Sequence, residues 1–231
     1  MITSAEVLKQ FYKYPTGSMI IASKLYNQNF SALMSEVAFS KTISRLCTEG
    51  YIVRISKGIY CVPKITKYGK ILPTDLEIAN AYVMNNKGMI VGYTLYNSLC
   101  ISTQIPKTIN IYSSCIEERF KKIGNVIIIK KDLEYTRETT NIITALELLS
   151  NYNNIQNINR NVYVKTIFEL IKSYKDCLFN KVIDVISYPK WVIAFYKSIL
   201  DYSNIANNLD CYLSSFSKYN IPKIEDLYDF A

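Results

Sequence analysis

Histidine is absent from all 231 residues of the chain, and this absence removes several classes of enzyme at once. Catalytic systems in which histidine activates a serine or cysteine are excluded, because they need it as the general base. The phosphate-binding patterns GxxxxGK[ST] and GxGxxG are missing too. Asp75 and Glu77 suit the dipole of a helix start better than a metal site. We therefore expect no catalysis, no cofactor and no metal.

Closely spaced cysteines are also lacking. No two of the six form a CxxC pair, so a structural zinc site is not expected. Most of them lie in apolar segments, where a free cysteine behaves as a small hydrophobic residue. We predict free, buried thiols in a reducing compartment. The six positions are Cys47, Cys61, Cys100, Cys115, Cys177 and Cys211.

Targeting and membrane-spanning signals are missing as well. The first residues, 1–11, include Glu6 and Lys9 and contain no long apolar run typical of a signal peptide. The longest uncharged stretch, 88–106, contains too many polar residues for a membrane span. We therefore expect a soluble, cytoplasmic protein with no membrane partner.

Positive charge is present in excess and is unevenly distributed. The formal net charge is +8, and residues 1–65 alone hold eight Lys and Arg against three Asp and Glu. Residues 66–150 carry +2 and residues 151–231 carry +1. An excess concentrated in the first third predicts an anionic partner there, for which nucleic acid is the first candidate.

The N-terminal third reads as three helices followed by a hairpin. Helices are predicted over 4–12, capped by Ser4, and over 20–26. Ser35 is a plausible N-cap for a third helix over 36–49, which Gly50 would end. One stripe of this helix is apolar and predicted to be buried, comprising Phe39, Ile43, Leu46 and Cys47.

The other face of the third helix supplies the candidate binding residues. The apolar or β-branched runs 51–55 and 59–62, separated by Ser56–Lys57–Gly58, predict a hairpin with a basic tip. Three helices followed by such a hairpin indicate a winged helix-turn-helix over residues 1–65. The helix would read the DNA major groove and the hairpin would contact the backbone. The candidate DNA-binding residues are Ser40, Lys41, Ser44, Arg45 and Thr48 on the helix, with Arg54 and Lys57 on the hairpin.

The remaining chain predicts a different architecture. Residues 64–73 resemble a linker. Residues 74–152 predict a mixed block of helices and strands, with strands at 89–93, 108–113 and 125–131. Glu117 to Lys122 resembles a mixed-charge turn. After a polar connector at 151–161, residues 162–231 predict helices alone, the last at 209–219. The fold class is thus α+β, with a second domain over 74–231.

The residues alone leave three functions open. The first is sequence-specific DNA binding by the N-terminal domain. A second is a ligand-sensing transcription regulator with the mixed block as the sensor. The third is a protein-interaction module whose winged domain binds a partner chain and no DNA.

Two ordered motifs narrow these options. The first combines L-S-R-L-x-x-x-G with R-x-x-x-G-x-Y-x-x-P, and is matched by Ile43, Ser44, Arg45, Leu46 and Gly50, then by Arg54, Gly58, Tyr60 and Pro63. Isoleucine at 43 stands in place of the usual leucine. The second is matched by Gly92, Tyr93, Asn97, Ser102, Thr103 and Gln104. With the strings "IIASKLY" and "ALELLSNYNNI", they make the chain resemble the AbiEi-type antitoxins of bacterial abortive-infection systems, especially the AbiGi-like proteins.

This resemblance implies a function that composition does not. Members of that family pair a winged-helix domain with a second domain that confers antitoxicity. They repress their own operon and counteract a nucleotidyltransferase-like toxin without forming a stable complex with it. The expected partners are therefore operator DNA in the protein's own promoter and a cognate toxin.

Overall fold

A computed structural model describes residues 2–214 and 217–223. The chain is mixed α and β and folds into two compact units, Met1–Ala81 and Tyr82–Ala231. The sequence places the boundary earlier, between residues 65 and 74. Within the described ranges, none of the helices has both the length and the apolar character needed to cross a membrane.

Before residue 75, the described part of the first unit contains three helices and two small antiparallel sheets. Strand β3 lies between β1 and β2 in a three-stranded sheet, and β4 pairs with β5 in a separate hairpin. Each helix contributes apolar side chains to one core, which is closed by residues of the sheet. The elements are α1 (Ser4–Phe11), β1 (Ile20–Ile21), α2 (Ala22–Asn29), α3 (Glu36–Thr48), β2 (Val53–Ser56), β3 (Ile59–Cys61), β4 (Lys64–Thr66) and β5 (Gly69–Ile71).

Three sequence predictions for this unit need correction. The cap of α1 is Thr3 and not Ser4, because Thr3 and Glu6 satisfy each other's backbone amides as a capping box. Ile20 and Ile21 begin no helix, since they pair with Tyr60 and Ile59 as strand β1. The supposed linker at 64–73 contains the hairpin of β4 and β5.

The second unit places a four-stranded mixed sheet beside a group of helices. In the order β6-β7-β9-β8, the pair β7 and β9 is parallel and the other two pairs are antiparallel. Helix α4 (Asp75–Val83) spans the boundary between the units and starts with a capping box of Thr74 and Glu77. The other elements are β6 (Gly88–Val91), α5 (Tyr93–Ser98), β7 (Ile109–Ser113), β8 (Phe120–Ile123), β9 (Val126–Lys130), α6 (Arg137–Ser150), α7 (Arg160–Leu170), α8 (Asp176–Val185) and α9 (Lys190–Tyr202).

Helix α6 is the central element of the second unit. It packs against α7, α8 and α9, and every residue from Ile142 to Leu149 is buried. That run includes one carboxylate, Glu147, whose Oε1 accepts hydrogen bonds from the hydroxyls of Tyr112 (3.0 Å) and Tyr188 (2.9 Å). Buried carboxylates need such partners, since desolvation of an unpaired one is costly.

The second unit also departs from the sequence predictions. Residues 120–123, predicted as part of a turn, form edge strand β8, because Phe120 and Ile123 pair with Ile129 and Val126 of β9. Of the helix predicted at 209–219, the structure contains only a 3₁₀ turn at Leu209–Tyr212, and residues 213–214 and 217–219 form no regular secondary structure. Residues 215–216 of that prediction lie outside the described residues.

The cysteines are less buried than the sequence predicts. All six are free, but among them only Cys61 is fully buried. The side chains at 47 and 115 are partly covered, and those of Cys100, Cys177 and Cys211 are exposed. An apolar neighbourhood along the chain did not ensure burial, since each exposed thiol lies on the outer side of its helix or turn.

Candidate nucleic-acid interface

Helix α3 is held at both ends and along one side. The hydroxyl of Ser35 accepts a hydrogen bond from the amide of Ala38, as the sequence predicts. Phe39, Ile43 and Leu46 are buried, whereas Cys47 is only partly covered. Glu49 is the C-cap of the helix, and Gly50 directly after it has φ +80°, a conformation that favours glycine. These contacts fix which face of α3 remains in solvent.

The connection between α2 and α3 is a packed turn. The Phe39 ring lies 5.3 Å from that of Tyr26 and 5.2 Å from that of Phe30, measured between centroids. The Tyr26 hydroxyl also donates to the carbonyl of Met34 at 2.9 Å. The angle between α2 and α3 is thus set by an aromatic cluster and one hydrogen bond.

The structure brings the five predicted residues of α3 together on its solvent face. All five are exposed, and at about 100° per residue they lie within an arc of about 140° on the helix surface. An α-helix with its side chains is about 10–12 Å across. A DNA major groove is about 12 Å wide and admits a helix. The dimensions therefore suit insertion of this face.

Two of these side chains have partners within the helix. Arg45 Nε lies 4.0 Å from Glu49 Oε1, and the Arg45 side chain is 60% exposed. An exposed pair of this kind stabilises little, so the guanidinium can exchange it for a base or phosphate at small cost. The Thr48 hydroxyl donates to the Ser44 carbonyl at 3.1 Å. Its oxygen can still accept a hydrogen bond from a ligand.

The hairpin of β2 and β3 presents the other two predicted residues. Lys57 and Gly58 form its two-residue turn, and Gly58 has φ +73°. Arg54 and Lys57 are both exposed. Arg54 is close enough to α3 to lower the pKa of the Cys47 thiol, although burial of that thiol outweighs this and raises its pKa. Both basic residues of this hairpin are thus exposed, and Arg54 lies near α3.

Sequence reasoning missed three residues at this surface. Val37 lies on the first turn of α3 on the same face and is 66% exposed, and Leu33 just before the helix is also exposed. Lys70 of β5 donates from Nζ to the carbonyl of Gly50 at 2.8 Å, which places a cation just beyond the C-terminal end of α3. The helical periodicity of α3 could have placed Val37 on the exposed face. No pattern near Lys70 in the sequence indicates that it contacts Gly50.

The second motif has a structural role in the second unit. The Tyr93 hydroxyl donates to the Asn154 carbonyl (2.9 Å) and accepts from the Gln156 amide (3.1 Å). The Ser102 hydroxyl donates to the Gln156 carbonyl at 2.7 Å. The Asn97 amide donates to the carbonyl of Gln104 at 2.9 Å. These bonds fasten the loop after α5 to the connector 151–158, so the motif builds the fold of this unit.

Comparison with known proteins places the chain in a family. A family model described as a family of unknown function, DUF6088, matches residues 6–133, and the chain belongs to this family. The matched residues include α3, the β2–β3 and β4–β5 hairpins and the whole mixed sheet. No curated protein matches the chain at a significant level.

Proposed function

We propose that this chain is a DNA-binding autoregulatory antitoxin, with a winged helix-turn-helix in the unit Met1–Ala81. The observation that carries the proposal is the exposed Ser, Lys and Arg face of α3 beside the basic hairpin of β2 and β3. Acidic residues lie only at the edges of this face of α3, where Glu36 precedes Ser40 by one turn and Glu49 lies 4.0 Å from Arg45. Such a surface attracts a polyanion.

Strand order supports this assignment. The unit runs α1, β1, α2, α3, β2, β3, with β3 paired between β1 and β2. In this arrangement α2, the packed turn and α3 supply the helix-turn-helix, and the β2–β3 hairpin is the wing. The amide of Ala22 at the start of α2 donates to the Gly58 carbonyl in the turn of that hairpin at 2.9 Å. The wing is therefore joined directly to the helical part.

The proposed contacts divide into two kinds. Arg45 is the candidate for base recognition, because a guanidinium can donate two hydrogen bonds to guanine O6 and N7. Val37 is placed to contact a thymine methyl group. Lys41, Arg54 and Lys57 bind phosphates and fix the register without reading sequence.

The antitoxin part of the proposal rests on the resemblance of the two motifs to AbiEi-type proteins. Charge supports a division of labour, since the excess is concentrated before residue 66. Repression would then depend on the first unit, and neutralisation of a nucleotidyltransferase-like toxin on the second. The second unit has its own hydrophobic core, and the Ser102 hydroxyl ties the connector at Gln156 to the rest of that unit.

A growth and reporter experiment tests both parts together. The double variant Arg45→Ala with Lys57→Ala removes two exposed cations, so it should fold normally. Expressed from a foreign promoter at equal level, it should fail to repress a reporter under the protein's own upstream DNA. It should still rescue cells that express the neighbouring toxin gene.

The two readouts separate the two claims. Full repression by the folded double variant would refute the DNA-binding assignment. Loss of rescue by the same variant would show that antitoxicity itself works through nucleic acid. Failure of the wild-type protein to rescue any neighbouring gene product would refute the antitoxin assignment and leave DNA binding standing.

A further inference from the structure

A second hairpin of the first unit carries lysines that the proposed wing does not use. In the β4–β5 hairpin, Lys64 lies opposite Ile71 and Ile65 opposite Lys70, with Lys67 and Tyr68 in the turn. Thr66 closes this turn. Its Oγ1 donates to the Gly69 carbonyl at 3.0 Å and accepts from the Tyr68 amide at 3.3 Å. The tip is therefore a defined turn rather than a loose linker.

This hairpin is exposed on both faces. The side chain of Ile65 is 77% exposed and that of Tyr68 is 88% exposed, and Ile71 on the opposite face is exposed too. A two-stranded hairpin alone in water is only marginally stable. Exposed apolar and aromatic side chains on such an element mark an interaction site rather than a core.

Charge identifies the kind of partner. Residues 64–74 contain three lysines and no carboxylate. Lys64 and Lys67 form no ion pair within the part of the chain that the structure describes, although Lys64 is near enough to Glu77 to help lower the pKa of its carboxyl. The Lys67 ammonium lies 4.9 Å from the centre of the Tyr68 ring. Pairing of two copies through this hairpin would bring lysines against lysines. A polyanion fits the charge instead.

Position connects the hairpin with the candidate interface. Because Lys70 Nζ donates to the carbonyl of Gly50, β5 adjoins the C-terminal end of α3. Arg45 and Thr48 lie on the last turns of that helix. The hairpin that carries Lys67 in its turn is therefore attached beside the last turn of α3.

We propose that the β4–β5 hairpin is a second DNA-contacting wing, in which Lys64 and Lys67 bind phosphates of the DNA backbone. The amino group of Lys70 is already bound to α3 and is not counted among the phosphate contacts. This inference rests on the proposed DNA binding by α3, and it adds a contact that carries no sequence information.

The test compares two double variants of the full chain. Lys64→Gln with Lys67→Gln removes two charges from the hairpin. Lys9→Gln with Lys13→Gln removes two charges from exposed lysines in and just after α1. Binding to a fluorescent random-sequence DNA duplex is measured by anisotropy between about 50 and 200 mM salt, where each phosphate contact contributes about 0.9 to the salt slope.

The hairpin variant should have a salt slope shallower by about 2 than the wild type. The affinity lost by the variant should therefore be about tenfold greater at about 50 mM than at about 200 mM salt. The control variant should keep the wild-type slope. Circular dichroism should show both variants folded, because all four lysines are exposed.

Other results would overturn the inference. An unchanged salt slope in the hairpin variant would refute the second wing. The proposed DNA binding by α3 would still stand if Arg45→Ala weakened binding to the protein's own upstream DNA. An equal change in the control would show a general charge effect. A dimer in sedimentation that the hairpin variant dissociates, with the slope unchanged, would make the hairpin a self-association surface. Absence of any DNA binding by the wild type would refute both proposals.

Discussion

Replacement of Glu147 by glutamine should stabilise the second unit relative to the wild type, and this stabilisation should increase as the pH rises. Glu147 is buried in α6, and burial raises the pKa of its carboxyl above the ordinary value. The hydroxyls of Tyr188 and Tyr112 and the charge of Lys131 act in the opposite direction but do not cancel it. Glutamine keeps an oxygen that can accept both tyrosine hydroxyls and cannot ionise.

The sign and size follow from proton linkage. Below about pH 4.5 the carboxyl is protonated in both folded and unfolded chains, so the stability difference between variant and wild type is constant. Above it, the unfolded chain loses its proton first, and the wild type loses up to about 1.4 kcal/mol per pH unit. The loss stops once the pH passes the raised pKa of the folded protein.

Urea unfolding, monitored by tryptophan fluorescence, reports the stability of the second structural unit. The single tryptophan, Trp191, lies on α9 and packs against the core that contains α6. The free energy of unfolding of Glu147→Gln minus that of the wild type should rise from about pH 4.5 upward and then level off. A difference that falls with pH would show that the two tyrosines and Lys131 stabilise the ionised carboxylate more than burial destabilises it.

Three further predictions concern buried and capping groups. Tyr196→Phe should stabilise the second unit by about 1 kcal/mol, because the buried Tyr196 hydroxyl has no hydrogen-bond partner among the described residues. The matched change Tyr163→Phe should destabilise the second unit by about 1 kcal/mol, because the Tyr163 hydroxyl donates a hydrogen bond to the Leu148 carbonyl at 3.2 Å. If both variants changed the free energy of unfolding in urea equally, this reasoning would be contradicted. Lys70→Gln should lower the melting temperature of the first unit, because it removes the hydrogen bond from a cation that joins β5 to the Gly50 carbonyl just after α3. An unchanged melting curve would contradict this. A thiol reagent at neutral pH should label Cys100, Cys177 and Cys211 before Cys61. The first three are exposed, whereas burial raises the pKa of the Cys61 thiol to about 11. Early labelling of Cys61, detected by mass spectrometry, would argue against its burial.

Helix α3 could be predicted because its signals are local. The cap at Ser35, the apolar spacing and the glycine at 50 all lie within sixteen residues, and each has one physical meaning. The candidate binding residues followed from the same pattern, since the exposed face is the complement of the buried one. The part of the candidate site that lies on α3 could therefore be predicted from the sequence.

Elements that depend on distant partners could not be predicted in this way. Strand β1 has only two residues and exists because it pairs with β3, almost forty residues later. Strand β8 is an edge strand of only four residues, Phe120–Ile123, whose two lysines are adjacent, so no alternation of apolar and polar residues indicates it. The β4–β5 hairpin buries neither face, so no hydrophobic alternation reveals it. Its contact with Gly50 through Lys70 spans twenty residues and has no local signal.

Binding of Arg45→Ala and Lys57→Ala to the protein's own upstream DNA and to random DNA of equal length tests the central claim most directly. Arg45→Ala should cost about 1–3 kcal/mol on the upstream DNA and much less on random DNA, because it removes a base contact. Lys57→Ala should weaken both by the same factor, because it removes a phosphate contact. Lys9→Ala on α1 should change neither. If Arg45→Ala and Lys57→Ala both bind the upstream DNA as tightly as the wild type, α3 and its wing do not form the DNA-binding surface.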